Sequence, residues 1–270
     1  DSTNNEYDQH QVTLTNDFYI GSYEVTQGQW EAVMGGLSSW PGSVPESPSS
    51  TYGHSSSHPA YFISWRDVTK VNGFLDRLNQ ASGCDISSLS TGTDRYSPSD
   101  VAQGCYRLPT EAEWEFAARG GTTSSFSYGE DTTYGELQAY SWFSSNATSS
   151  QPVGQKLSNP FGLFDMHGNV AELVYDTYVA SYTDAPVVDP FSTSNSSTQK
   201  VTRGGSWNSQ AKDLRSAARN LIETNVRQND IGFRLVRVPT DPNSIVPGPL
   251  SAATSFNSLI DANLPAFNSV

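Results

Sequence analysis

The side chains with the strongest intrinsic chemistry in this 270-residue chain are few and far apart. Its two cysteines, Cys84 and Cys105, bracket a polar insertion, CDISSLSTGTDRYSPSDVAQGC. A bridge between them would close a loop of about twenty residues and stabilise the domain by roughly 3 kcal/mol. The other reading is two unrelated buried thiols; the disulfide is the expectation, and with it an oxidising, extracytoplasmic compartment. His54 and His58 stand in an HSSSH spacing that would turn two imidazoles the same way on a helix, as a metal site requires. The serine-rich TYGHSSSHPA does not read as a helix, so a structural role is expected for both. The window RGGSWNSQAKDLRSAARNLIETNVRQNDIGFRLVR, Arg203 to Arg237, contains no cysteine at all. In it Arg215, Arg219 and Arg234 are expected to use their planar guanidinium forks on backbone carbonyls and buried carboxylates.

Three helix starts that could position these groups follow from capping chemistry. In Thr26-Gln27-Gly28-Gln29 the hydroxyl can accept from the backbone three residues on while Gln29 reaches back, opening a helix over WEAVM. Ser64 opens a second, with Asp67 in its first turn and Val68, Val71, Leu75 and Leu78 at spacings that form one apolar stripe. Thr110-Glu111-Ala112-Glu113 is a third box, behind Pro109 and ahead of WEFAAR. Short β-like pieces, QVTLTNDFYI and GFRLVRV, lie among long stretches rich in Gly, Ser, Asn and Pro.

Length and the lack of a Pro/Ser/Gly linker favour a single domain with a sizeable core, residues 1–238, followed by a tail, 239–270, whose apolar stretches SIVPGPL and FNSLIDANLPAF pack back or dock on a neighbour. Fifteen Lys plus Arg against twenty-eight Asp plus Glu give a net charge of −13, which repels nucleic acid and anionic lipid. No run reaches the eighteen apolar residues of a membrane span, and the polar opening DSTNNEYDQHQ is not a signal segment, so the chain is expected to be cytosolic or already processed. The Ser, Thr, Asn, Tyr and Trp content points to the second.

Five blocks, in order, resemble the formylglycine-generating enzyme (sulfatase-modifying factor) family: FYIGSYEVTQGQWEAVMG, HPAYFISWRDVTKVNGFLDRLN, YRLPTEAEWEFAARGG, NPFGLFDMHGNVAELVYD, and TRGGSW with LRSAARN and IGFRLVR. The resemblance implies an α+β, C-type-lectin-like fold with short helices, short strands and much irregular structure. It implies that active members carry two copper-binding cysteines between GGSW and GFR, the first at the position held here by Ser209. A neutral hydroxyl is a poor ligand for soft Cu(I), so no copper and no catalytic residue are expected. The family's iron-dependent sulfoxide synthases need a three-histidine set partly drawn from a helical domain that this sequence does not show.

By the same resemblance, structural calcium is expected in the DMHGNVAE loop, held by the carbonyls of Gly168 and Val170 and the carboxylate of Glu172; calcium takes six to eight oxygen ligands. A ligand-binding face is expected at Trp207, Asn208, Ser209, Gln210, Lys212 and Asp213, where the related variable proteins of diversity-generating retroelements display theirs. Those proteins usually end shortly after GFR, whereas this chain continues. The expected function is therefore that of a secreted or surface-exposed, non-catalytic binding or assembly domain for a protein or glycan ligand, with self-assembly through the tail as the assembly mode. The alternatives are a structural subunit of an extracellular polymer and a metal-dependent oxidoreductase with an unrecognised site.

Overall fold

Each of the three capping boxes starts a helix. Thr26 accepts from Gln29 N and Gln29 Oε1 accepts from Thr26 N, opening α1, Gln27–Met34. Ser64 and Asp67 exchange the same pair of bonds at the start of α2, Trp65–Thr69. Thr110 and Glu113 do so at α4, Glu111–Arg119, which stops at Gly120 in the left-handed region (φ +59°). These bonds satisfy the orphan N–H groups of a helix start from within four residues of chain.

The expected single stripe Val68, Val71, Leu75, Leu78 is corrected. The chain leaves the helix at Lys70 and begins α3, Phe74–Ala81, after Gly73. Asn72 lies at φ +59°, and its N–H donates to Asp76 Oδ2 at 2.8 Å. That break turns Val71 out to solvent, while Val68, Leu75 and Leu78 remain in the core. Periodicity alone read through a turn that a left-handed residue and a side-chain cap had inserted.

In the computed structural model the described residues are 10–36, 40–42, 46–92, 95–182, 185–194 and 198–239, with the backbone of 267–269. The remaining elements are β1 (Val12–Thr13), β2 (Tyr19–Gly21), β3 (Tyr106–Arg107), α5 (Leu137–Tyr140), β4 (Ala171–Thr177), β5 (Val187–Val188), β6 (Gln199–Arg203), β7 (Arg219–Glu223), β8 (Ile231–Gly232), β9 (Val236–Arg237) and β10 (Phe267–Ser269). They pair as a parallel couple β1–β5 and two four-stranded sheets, β10–β2–β9–β3 and β7–β6–β4–β8. The second sheet is antiparallel except where β4 meets β8. The stretch 240–266, which contains the apolar parts of the expected tail, lies outside the described residues; the strand beyond it, β10, takes the edge of the first sheet beside β2 of the same chain.

Aromatic stacking knits the largest core cluster. Trp30 stacks on Phe74 (centroids 5.2 Å), and Phe233 meets Phe74 edge-on at 5.2 Å. Burial of each such side chain is worth roughly 1.5–3 kcal/mol before conformational entropy is counted. A second cluster joins Trp114, Ala117 and Ala118 of α4 to Val174 of β4, Val201 of β6 and Ile20 of β2. Among the described residues the long loops are thereby hung on two four-stranded sheets, one parallel strand pair and five short helices.

Candidate functional site

The loop after β6 and the loop before β4 are built against each other. Trp207 N donates to Asn169 O (2.8 Å), and Asn169 N donates to Trp142 O (2.9 Å). Asn169 holds φ +59°, and its side chain exchanges two bonds with the backbone of Gln151. Gly168 beside it sits at φ +119°, where a Cβ would come within 2.3 Å of Trp142 O. A side chain there would push the two loops apart.

His167 clamps the same loop to the short 3-10 turn Ala211–Leu214. Ser127 N points at its Nε2 (3.3 Å), so Nε2 accepts and Nδ1–H donates to Leu214 O at 2.8 Å. Complete burial pushes its pKa down to about 4, which keeps the ring neutral as this pattern needs.

Ser206 to Ser209 forms a tight turn. Ser209 N donates to Ser206 O, Ser209 Oγ accepts from Ser206 N at 3.0 Å, and Ser206 Oγ donates to Asp230 Oδ2 at 2.9 Å. Burial raises the Asp230 pKa above its ordinary value, against the lowering effect of the Ser206 bond. Ser209, at the position where active relatives are expected to hold copper, is thus a structural hydroxyl.

Trp207 lies beneath the expected ligand face and not on it. Only 8% of its surface is exposed, and its Nε1 donates to Asn229 O at 3.4 Å. Asn208, Gln210 and Lys212 are the outward-facing members; Ser209 and Asp213 are half-buried.

The chain's other candidate chemistry sits elsewhere. Cys84 and Cys105 form a disulfide, with Cα atoms 5.6 Å apart, between the end of α3 and the start of β3. No free cysteine exists among the described residues, and the sequence holds no third. His58 donates or accepts through Nδ1 with Ser150 Oγ at 3.2 Å, and burial, followed by the neighbouring His54, lowers its pKa. His54 is exposed, so the HSSSH pair does not converge.

The guanidinium expectation holds at all three arginines and extends to others. Arg219 grips Glu111 with two bonds of 2.6 and 2.9 Å, and Arg215 Nε donates to Lys212 O at 2.7 Å. Arg203, which the sequence did not single out, donates to three carbonyls, Ser216, Ala217 and Ala218, and to Glu115. Arg227 reaches back to the Asp67 cap of α2; burial alone would raise that carboxyl, but bonds from Arg227, Ser64 and Lys70 outweigh it and hold its pKa at about 2.

Of the residues expected to hold calcium, Glu172 does not fit. Its Oε1 accepts from Arg234 Nη2 at 2.6 Å, and its Oε2 accepts from Arg234 Nε and Trp114 Nε1, each at 2.7 Å. A carboxylate whose charge is already met by a buried guanidinium has little to offer a cation. The uncompensated acidic oxygens belong to two neighbours that the sequence did not single out, Glu24 and Asp165. Both Glu24 oxygens and Asp165 Oδ1 are buried without a hydrogen-bond partner among the described residues. Burial, and after it the mutual repulsion of these carboxyls and Glu172, pushes the Glu24 pKa well up. Asp165 is raised to about 6, chiefly by burial. Among the described residues no three His, Cys, Asp or Glu side chains converge as a metal group, so any cation here would have to draw on backbone oxygens too.

This arrangement of two short sheets, capped helices and interlocked loops is the architecture of the formylglycine-generating-enzyme fold. The profile of the sulfatase-modifying factor enzyme 1-like domain matches residues 1–239, and the chain belongs to that family. It is similar to "Chaperone protein LppX" of Paenibacillus barcinonensis, 29% identical over 262 residues that cover 87% of this chain and 85% of the relative. It is 27% identical to the formylglycine-generating enzyme of Thermomonospora curvata, covering 78% of this chain and 64% of that one. Among solved structures, Treponema denticola variable protein 1 superposes with a TM-score of 0.67 at 30% identity, over 85% of this chain and 87% of that chain. The family therefore joins oxidising enzymes to proteins described by other functions. No helix among the described residues is long and apolar enough to cross a membrane.

Proposed function

We propose that this protein is an extracytoplasmic, non-catalytic binding domain of the formylglycine-generating-enzyme family. One observation carries the reading: both cysteines of the chain are consumed in a disulfide outside the Arg203–Arg237 window, while the copper position in that window is Ser209, a hydroxyl tied into its own turn. Oxidation of a cysteine substrate through Cu(I) needs thiolate ligands that can hold a soft ion, and this chain has none to give. The disulfide supports an oxidising compartment. The outward-facing Asn208, Gln210 and Lys212 form the contact surface on a scaffold that the Trp207, Asn169 and His167 bonds make rigid; loops on a rigid scaffold are where binding is usually found.

The test supplies Cu(I), oxygen and a cysteine peptide of the sulfatase type, and measures aldehyde by mass spectrometry. No product is expected from the protein or from its Ser209→Ala variant. Turnover by either would overturn the reading and place an oxidising site elsewhere in the chain.

Calcium is retained in the proposal with a changed ligand set: the Glu24 carboxyl and Asp165 Oδ1, which lack hydrogen-bond partners among the described residues, supply its acidic oxygens in place of Glu172. A cation that binds only the folded state stabilises it by about 2.7 kcal/mol at roughly 100 times Kd. The melting temperature is expected to rise with calcium, fall on chelation, and lose this response in Asp165→Asn. A full response in Asp165→Asn would put the ion at another place.

A further inference from the structure

The loop 142–151 is fixed in place and bare of charge, and it opens beside the Ser206–Ser209 turn. Ser144 N donates to Ser209 O at 3.1 Å, which makes this loop the lateral wall of the face already described. A shallow groove of about 360 Å³ runs along it, lined by Trp142, Ser144, Ser145, Asn146, Thr148 and Gln151 together with Ala147. That volume lies at the small end of the ~300–1,000 Å³ range of small-molecule sites.

The lining divides into residues that hold the loop and residues that are left to bind. Asn146 accepts from Phe143 N and donates to Ser141 O. Gln151 N donates to Asn169 Oδ1, and its side chain donates to Ser149 O. These amides set the backbone in advance of any ligand, which lowers the entropy lost on binding. The hydroxyls of Ser144, Ser145 and Thr148 make no hydrogen bond to the described residues, and all three residues are exposed. The indole N–H of Trp142 is likewise without a partner among the described residues. Lys156, whose ammonium is 3.8 Å from the centre of the Trp142 ring and donates to Gln138 O, is not part of the groove lining.

The chemistry of this lining selects by elimination. An anion would find no cationic side chain in the lining, and a cation no carboxylate. An aliphatic ligand would desolvate three hydroxyls without giving them partners, at a cost of about 1–3 kcal/mol for each group left unsatisfied. A neutral ligand dense in hydroxyls exchanges donors and acceptors with Ser144, Ser145 and Thr148 and can lay an apolar face of C–H groups near the indole. We propose that the groove takes a neutral saccharide, of one or two rings. This rests on the reading of the adjoining face as a binding surface and names the ligand class for it.

The experiment uses the full chain and saturation-transfer NMR with glucose, galactose, mannose, N-acetylglucosamine and their β-linked disaccharides as probes, with glucuronic acid and lysine as charged controls. At least one neutral sugar is expected to give a saturable signal that added salt leaves unchanged. Ser145→Arg and Thr148→Arg, both on exposed positions, should abolish it while keeping the wild-type melting temperature; Val71→Glu, at an exposed position outside the groove and the adjoining face, should keep it. Absence of a saturable signal from every neutral sugar, or a signal that persists in both arginine variants, overturns the saccharide. So does preference for a charged control that salt erases. Aldehyde formation in the copper assay would instead overturn the binding-domain reading, so the two failures are distinct.

Discussion

Arg234→Leu is expected to lower the unfolding free energy by about 3–5 kcal/mol, the cost of leaving a buried charge without its partner. Arg234 and Glu172 are both fully buried, and the guanidinium makes four bonds of 2.6–2.9 Å in addition to meeting that charge: to both Glu172 oxygens, to Gly21 O and to Phe164 O. Burial lowers its pKa, but the charges of Glu172 and, after it, of Glu24 and Asp165 outweigh that and raise it. Its removal therefore exposes three acidic groups to one another in a dry interior and takes a donor from two backbone carbonyls, Gly21 O at the end of β2 and Phe164 O. Arg234→Lys should recover only part of the loss, because an ammonium cannot reproduce the planar fork. Urea unfolding monitored by far-UV and tryptophan signals measures it. A loss below about 1 kcal/mol in Arg234→Leu would mean that the cluster is balanced by something other than this ion pair.

Reduction of the Cys84–Cys105 bridge is expected to cost about 3 kcal/mol, since its 21-residue separation sets the loop-closure entropy returned to the unfolded chain. The loss should be local in its structural effect. Cys105 is nearly fully buried beside β3, and Val238 N donates to its carbonyl at 3.0 Å, so backbone bonds retain the strand after the sulfur link is gone. The double variant Cys84→Ser/Cys105→Ser should thus fold, melt lower, and keep the Ser206–Ser209 turn. Intact mass before and after reduction should differ by two hydrogen atoms in the wild-type protein. Two alkylatable thiols in native, unreduced protein would refute both the bridge and the compartment inferred from it.

The stretches whose physics is local were readable from the sequence alone. A capping box is a matter of two residues three apart, and Thr26, Ser64 and Thr110 each started a helix as their spacing required. The polar insertion between Cys84 and Cys105 likewise carried its bridge in plain view, and the blocks from FYIGSYEVT to IGFRLVR carried the family. Reading failed first where periodicity was extended across Asn72 and Gly73, because the left-handed residue that breaks the helix is held by a cap from Asp76 that no apolar pattern reveals.

What tertiary structure alone decided is how charges are partnered and which side chains face outward. Glu172 is a chemically apt calcium ligand until a guanidinium sixty-two positions away in sequence takes both of its oxygens. Nothing in the sequence marks both Glu24 oxygens and Asp165 Oδ1 as buried without a hydrogen-bond partner among the described residues, since that follows from what the packing failed to place near them. Trp207 reads as an aromatic anchor for a ligand, yet its loop turns it inward under Asn169 and Asn229, while three unremarked hydroxyls of the 142–151 loop are left facing water. Capping and composition are short-range and therefore written in neighbouring residues; charge compensation and exposure depend on distances between segments that only the folded chain brings together.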